Sequence, residues 1–184
     1  MSEAPAEVER AVRQWLEQVV VGLNLCPFAG KPLREGRLRI VVSEAASELE
    51  LLTELQLELQ RLDETPATQL ETTLIAVTKV LADFADYNDF LDRVDALLEH
   101  FEWSGEYQVA SFHPHYQFAD THPDDDANLT NRAPWPLLHL LREDSVEAAL
   151  DSHPDPDSIP HNNIRRMRDL SEEQKRGLFG YLYR

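Results

Sequence analysis

The sequence predicts an α/β fold: a small three-stranded sheet from a β-α-β-α-β core, covered by N- and C-terminal helices. Three short segments are apolar and rich in β-branched or aromatic residues: "LRIVVS" (Leu38–Ser43), "TTLIAVTKV" (Thr72–Val80) and "YQVASF" (Tyr107–Phe112). Two segments with apolar residues at helical spacing lie between them. Alternation of this kind favours parallel strands joined by right-handed crossovers, with a ferredoxin-like antiparallel sheet as the alternative.

The elements follow in order. Val8, Val12, Trp15 and Val19 lie on one helical face, which predicts a helix from about Ala4 to Val21 that Pro27 stops. The first strand follows the loop "AGKPLREG". Ser47 with Glu50 forms a capping signal for a helix whose Leu52, Leu55, Leu59 and Leu62 make one stripe, and the leucines from Leu49 to Leu62 are expected in the core. Asp86 is the expected cap of the next helix, with Phe90, Val94, Leu97 and Phe101 facing one way. Ser104–Gly105 turns into the third strand. After a long polar loop, "PWPLLHLLR" reads as a short helix with Pro134 and Pro136 at its start, and His139 as a packed residue within it. "SVEAALDS", "IPHNNIRRMRDL" (capped by Ser158) and a last helix with a Ser171–Gln174 capping box complete the chain.

The length of 184 residues suits one domain spanning 1–184, with residues 1–7 expected to be flexible. The net charge of -17 repels nucleic acid and anionic membranes, so neither is expected as a partner. No apolar run approaches the roughly 20 residues of a membrane span, and the acidic N-terminus does not read as a signal peptide. A single cysteine allows no internal disulfide. These features together predict a cytoplasmic protein. Neither "GxxxxGK[ST]" nor "GxGxxG" occurs, so nucleotide binding by those routes is unsupported.

Four stretches, "GLNLCPFA", "FHPHYQF", "NLTNRAPWPLLHLLRED" and "IRRMRDL", together resemble one family, the bacterial "domain of unknown function 1415" family. The resemblance runs from about Val8 to Leu170. It implies a bacterial protein and assigns neither an activity nor a residue role.

The candidate site is therefore read from side-chain chemistry. His113 and His115 sit at i and i+2 at the carboxyl end of the third strand, where open parallel sheets bind ligands. They are the candidate acid/base groups. Cys26, the only thiol, is either a nucleophile activated by a histidine or a packed residue; following a helix places it near that helix's negative end, which disfavours the thiolate. Asn128, Asn131 and Arg132 are candidate anion ligands, joined by Asn162 and Arg165, with Asn163 and Arg166 as further donors. Their bland reading is capping, and pairing with the many acids.

The expected function is hydrolysis or group transfer on a small anionic metabolite, with no cofactor required. A metal-dependent enzyme using His113, His115 and His122, with an aspartate of "HPDDDAN", is one alternative, so a divalent metal is possible. A non-enzymatic ligand-binding or regulatory domain is another. The sequence assigns no oligomeric state.

Overall fold

The computed structural model of the chain describes residues 4–183. Four strands form one mixed sheet in the order β1-β2-β4-β3: β1 (Leu38–Ser43), β2 (Thr72–Val77), β3 (Tyr107–Phe112) and β4 (Leu137–Arg142). β1 and β2 pair in parallel, and β4 runs antiparallel to both β2 and β3. β3 thus points the same way as β1 and β2, but β4 separates it from β2. The three-stranded expectation is corrected to four strands. A ferredoxin-like arrangement is excluded, because β1 and β2 are adjacent and parallel.

The extra strand comes from the segment expected as a helix. Leu137, Leu138, His139 and Leu140 are all buried, so β4 is covered on both faces and shows no period-two alternation. A short apolar run of this kind does not distinguish strand from helix. Pro134 and Pro136 suit a strand entrance as well as a helix start, since neither has to donate to the ladder. The carbonyl of Pro136 accepts the Val77 N–H (2.9 Å) and extends the pairing with β2.

One face of the sheet is covered by α1 (Pro5–Trp15) and by the C-terminal α6 (Ile159–Arg168) and α7 (Glu172–Leu178). α1 buries Val8, Val12 and Trp15 against Leu74 and Leu137. Residues 5–7, expected to be flexible, are the first turn of α1; residues 1–3 lie outside the described residues. The helix expected to run on to Val21 widens into a π-helix over Leu16–Val21. It ends at Gly22, where a Cβ would lie 2.3 Å from the Gln18 carbonyl oxygen, so only glycine fits.

The other face is covered by α3 (Glu48–Glu64) and α4 (Phe84–His100), which bury Leu51, Leu55, Leu59, Phe90 and Val94 against Ile75 and Leu138. Ser47 caps α3 as expected, accepting the Glu50 N–H at 3.2 Å. Leu49 and Leu57 are 73% and 57% exposed, because the helical phase that turns Leu51 and Leu55 inward turns these two outward. Asp83, not Asp86, caps α4, accepting the N–H groups of Ala85 and Asp86. Phe101 lies beyond the end of α4 and is exposed.

Tyr87 of α4 is fully buried. It donates to the Leu137 carbonyl (2.6 Å) and accepts the Phe112 N–H (3.1 Å), which fixes the end of β3 against the start of β4. α2 (Gly30–Arg34) precedes β1, and α5 (Glu143–Asp151) follows β4. Ser171 and Gln174 form the expected capping box of α7. Ser158 stands at the start of α6 but accepts from the Asn162 amide rather than from the helix backbone. Among the described residues, no helix is long and apolar enough to cross a membrane.

Candidate functional site

Strand alternation at the end of β3 sends Phe112 and His113 to opposite faces of the sheet. Phe112 packs edge-on to Trp15, with ring centroids 5.1 Å apart. His113 turns towards α4, packing 5.4 Å from Phe84 and 5.1 Å from Tyr87. It is fully buried. Its Nδ1 accepts the His115 backbone N–H (3.0 Å), so the proton resides on Nε2 and is donated to the Leu81 carbonyl (3.1 Å). Burial pushes its pKa below the ordinary histidine value. With both ring nitrogens occupied, His113 holds the chain reversal after β3 and has no lone pair to offer as a base. This geometry does not favour the acid/base role expected for it.

His115 is exposed, with its ring 5.9 Å from that of His113. His122 is exposed beside Asp124 (3.5 Å). Among the described residues no three His, Cys, Asp or Glu side chains converge to hold a metal ion, so the set His113, His115 and His122 is not assembled.

Two of the candidate anion ligands staple the loop from Pro114 to Asn131. Asn128 is fully buried: its Oδ1 accepts from the Phe118 N–H (2.9 Å) and the Thr121 hydroxyl (3.0 Å), and its Nδ2 donates to the His122 carbonyl (2.9 Å). Arg132 donates from Nε to the Tyr116 carbonyl (3.1 Å) and from a terminal nitrogen to the Pro123 carbonyl (2.7 Å). Both residues thus serve the loop's own backbone, which does not favour their assignment to a substrate.

Two aspartates of the acidic turn pair with the C-terminal helices. Asp125 pairs with Arg168 (3.3 Å) and Asp126 with Lys175 (2.9 Å). The Ala127 N–H, with Arg168, holds the Asp125 carboxyl below its usual range. Asn162 accepts from Arg165 (2.5 Å). Those two line an open concavity with Arg166, Asp169 and Gln174, to which His113, His115 and His122 do not contribute.

What the fold does assemble is a cavity of ≈ 420 Å³ beside Phe112, on the α1 face of the sheet. Val20, Leu25 and Cys26 form one wall; Phe118, Thr121 and the 3-10 turn Asp126–Asn131 form a second; Ile159, Pro160, Asn163 and Ile164 of α6 form the third. The wall around Cys26 is clamped by α6. Asn163 donates to the Leu25 carbonyl (2.7 Å), and the Arg166 guanidinium donates to the carbonyls of Leu23 and Asn24, satisfying groups left open where the π-helix ends. Asn24 makes that reversal in the left-handed region, with φ 52°.

Cys26 opens the next turn, with the backbone N–H groups of Phe28 and Ala29 near its sulfur. Those donors favour the thiolate, but burial outweighs them and pushes the thiol above its ordinary pKa. Asn131 donates to the Ser111 carbonyl (3.0 Å) and accepts from the Thr130 hydroxyl (3.1 Å), which fixes its amide at the cavity wall.

Of the candidate residues, the structure therefore brings Cys26, Asn131 and Asn163 together, and leaves the histidines, Asn128, Arg132, Asn162 and Arg165 elsewhere. Sequence reasoning missed Phe112, Phe118, Thr130 and, of α6, Ile159, Pro160 and Ile164 as wall groups.

A mixed four-stranded sheet with helices on both faces and a concave, mostly apolar pocket beside a strand's carboxyl end define this as a small α/β domain. The chain belongs to the family described as "Protein of unknown function (DUF1415)", whose model matches residues 7–177. No curated protein and no solved structure is detectably similar to it. The four stretches on which the sequence resembles the family each reach the cavity: Leu25 and Cys26 from the first, Phe112 and Phe118 from the second, Thr130 and Asn131 from the third, and Ile164 from the fourth. This convergence was the available signal for the missed residues.

Proposed function

We propose that the protein is a small-molecule-binding domain whose ligand occupies the cavity between Cys26, Asn131 and Asn163. The supporting observation is the meeting of all four family-like stretches at one concave, mostly apolar space of ≈ 420 Å³, within the size range of small-molecule sites. A binding role fits better than the hydrolase or transferase expected from the histidines. Nucleophilic catalysis needs a base within hydrogen-bond reach of the nucleophile. Among the described residues no imidazole or carboxylate lines the cavity, and burial holds the Cys26 thiol in its protonated form.

The single cysteine is a built-in reporter for the test. A fragment library is screened by thermal shift, and hits are re-tested for protection of Cys26 against slow alkylation. Ile164→Trp fills the cavity from α6, and Ala127→Met fills it from the facing turn. Hits that stabilise the wild type, protect Cys26 and lose both effects in the two filled variants support the proposal. Hits that bind the filled variants equally well, or a library in which nothing protects Cys26, refute it.

A further inference from the structure

The hydrogen bonds already made inside the chain leave a short inventory for a ligand in this cavity. Among the described residues no charged side chain lines it. The Thr130 hydroxyl spends its proton on the Ala127 carbonyl (2.9 Å) or the Asn131 Oδ1 (3.1 Å), and the Thr121 hydroxyl on the Phe118 carbonyl (2.7 Å) or the Asn128 Oδ1 (3.0 Å). Asn131 uses one N–H on Ser111 O, and Asn163 uses one N–H on Leu25 O. Each amide has two N–H donors, so one remains on each. The Asn163 Oδ1 accepts nothing from the described residues, and the atom is not sealed from its surroundings. The rest of the wall is branched aliphatic or aromatic: Val20, Leu25, Phe112, Phe118, Ile159 and Ile164.

Resting on the proposal that this cavity is a ligand site, we infer that its ligand is a neutral molecule with an apolar body and one carboxamide-like head, held by the free amide groups of Asn163 and Asn131. A carboxamide offers an N–H to the Asn163 Oδ1 and a carbonyl oxygen with two lone pairs to the unused N–H groups of Asn163 and Asn131. An alkyl body alone displaces water from these amide atoms without replacing its hydrogen bonds. A carboxylate brings a charge that no cation in the wall compensates, and it has no hydrogen to give to the Asn163 Oδ1. The small anionic ligand expected from the sequence thus does not match this wall, because the arginines of α6 face outward or hold backbone carbonyls.

The test uses four compounds with one six-membered carbocyclic body: cyclohexanecarboxamide, cyclohexanecarboxylate, cyclohexanecarboxamidine and methylcyclohexane. Affinity is read by ligand-observed NMR and by protection of Cys26 from alkylation. The carboxamide is expected to bind on the order of tenfold or more tightly than the carboxylate or the hydrocarbon. Asn163→Asp replaces the amide with a carboxylate of the same shape and is expected to move the preference to the amidinium. Asn131→Asp is a second route to the same reversal if the Leu25 contact proves necessary for folding, which circular dichroism checks. Equal binding of all four compounds, or tighter binding of the carboxylate, overturns the inference while leaving the cavity a ligand site. So does a set of four non-binders when other fragments protect Cys26. Failure of every fragment to protect Cys26 instead removes the ligand site itself, and the inference with it.

Discussion

Acidification from neutral pH is expected to destabilise the protein through His139 at the centre of the sheet. On β4, His139 lies between Leu74 of β2 and Ala110 of β3 and is buried. The Thr72 hydroxyl donates to the Leu140 carbonyl at 2.6 Å, so the 2.8 Å contact between His139 Nε2 and Thr72 Oγ1 is a donation by the ring. Burial alone pushes this imidazole down to about 4, from an ordinary 6.5. The unfolded chain therefore takes up the proton first as the pH falls. Stability present above about pH 6.5 is lost progressively towards pH 4. The full gap corresponds to about 3 kcal/mol, and the part lost between about pH 7.5 and pH 5.5 to about 1.3 kcal/mol. The assay is urea unfolding of the wild type and His139→Leu at both pH values. Stopping near pH 5.5 keeps most of the carboxylates charged, and the difference between the two proteins cancels their shared titrations. His139→Leu keeps the Thr72–Leu140 bond and removes the titrating ring. The wild type should lose about 1.3 kcal/mol more than the variant on acidification. Parallel pH profiles would refute the assignment of a buried, neutral imidazole.

Three further outcomes follow from the loop and the thiol. Arg132→Lys keeps the charge but cannot reach the carbonyls of Tyr116 and Pro123 with one planar group; it should cost about 1.5–3 kcal/mol in urea unfolding and speed proteolysis within residues 116–123, and a silent substitution would contradict the stapling role. Asn128→Ala removes the hydrogen bonds to the Phe118 N–H and the His122 carbonyl at a fully buried position and should cost about 2–3 kcal/mol; Asn128→Asp should also destabilise, since a carboxylate placed against the His122 carbonyl has no hydrogen to donate. Cys26 should react with iodoacetamide at pH 7 more slowly in the folded protein than in urea, because burial raises the thiol pKa; faster reaction in the native state would restore it as a nucleophile.

The sequence by itself determined the three strands β1, β2 and β3, the helices between them and the Ser47 cap of α3. These features are local: β-branched runs, helical spacing and Ser/Asp cap residues act within a few positions. It could not distinguish β4 from a helix, because a strand covered on both faces carries no alternation, and its burial exists only once β2 and β3 flank it. The same limit applied to the site. The histidines, asparagines and Arg132 of the long loop look reactive in one dimension because polar groups crowd there. Only the tertiary structure decided that His113, Asn128 and Arg132 satisfy the loop's own backbone, since a buried loop must pair its N–H and C=O groups internally. It also decided where the cavity lies. Cys26, Phe112, Asn131 and Asn163 come from four separate segments, and their meeting depends on α6 docking onto the carbonyls of Leu23, Asn24 and Leu25, a contact across more than a hundred residues that no local pattern encodes.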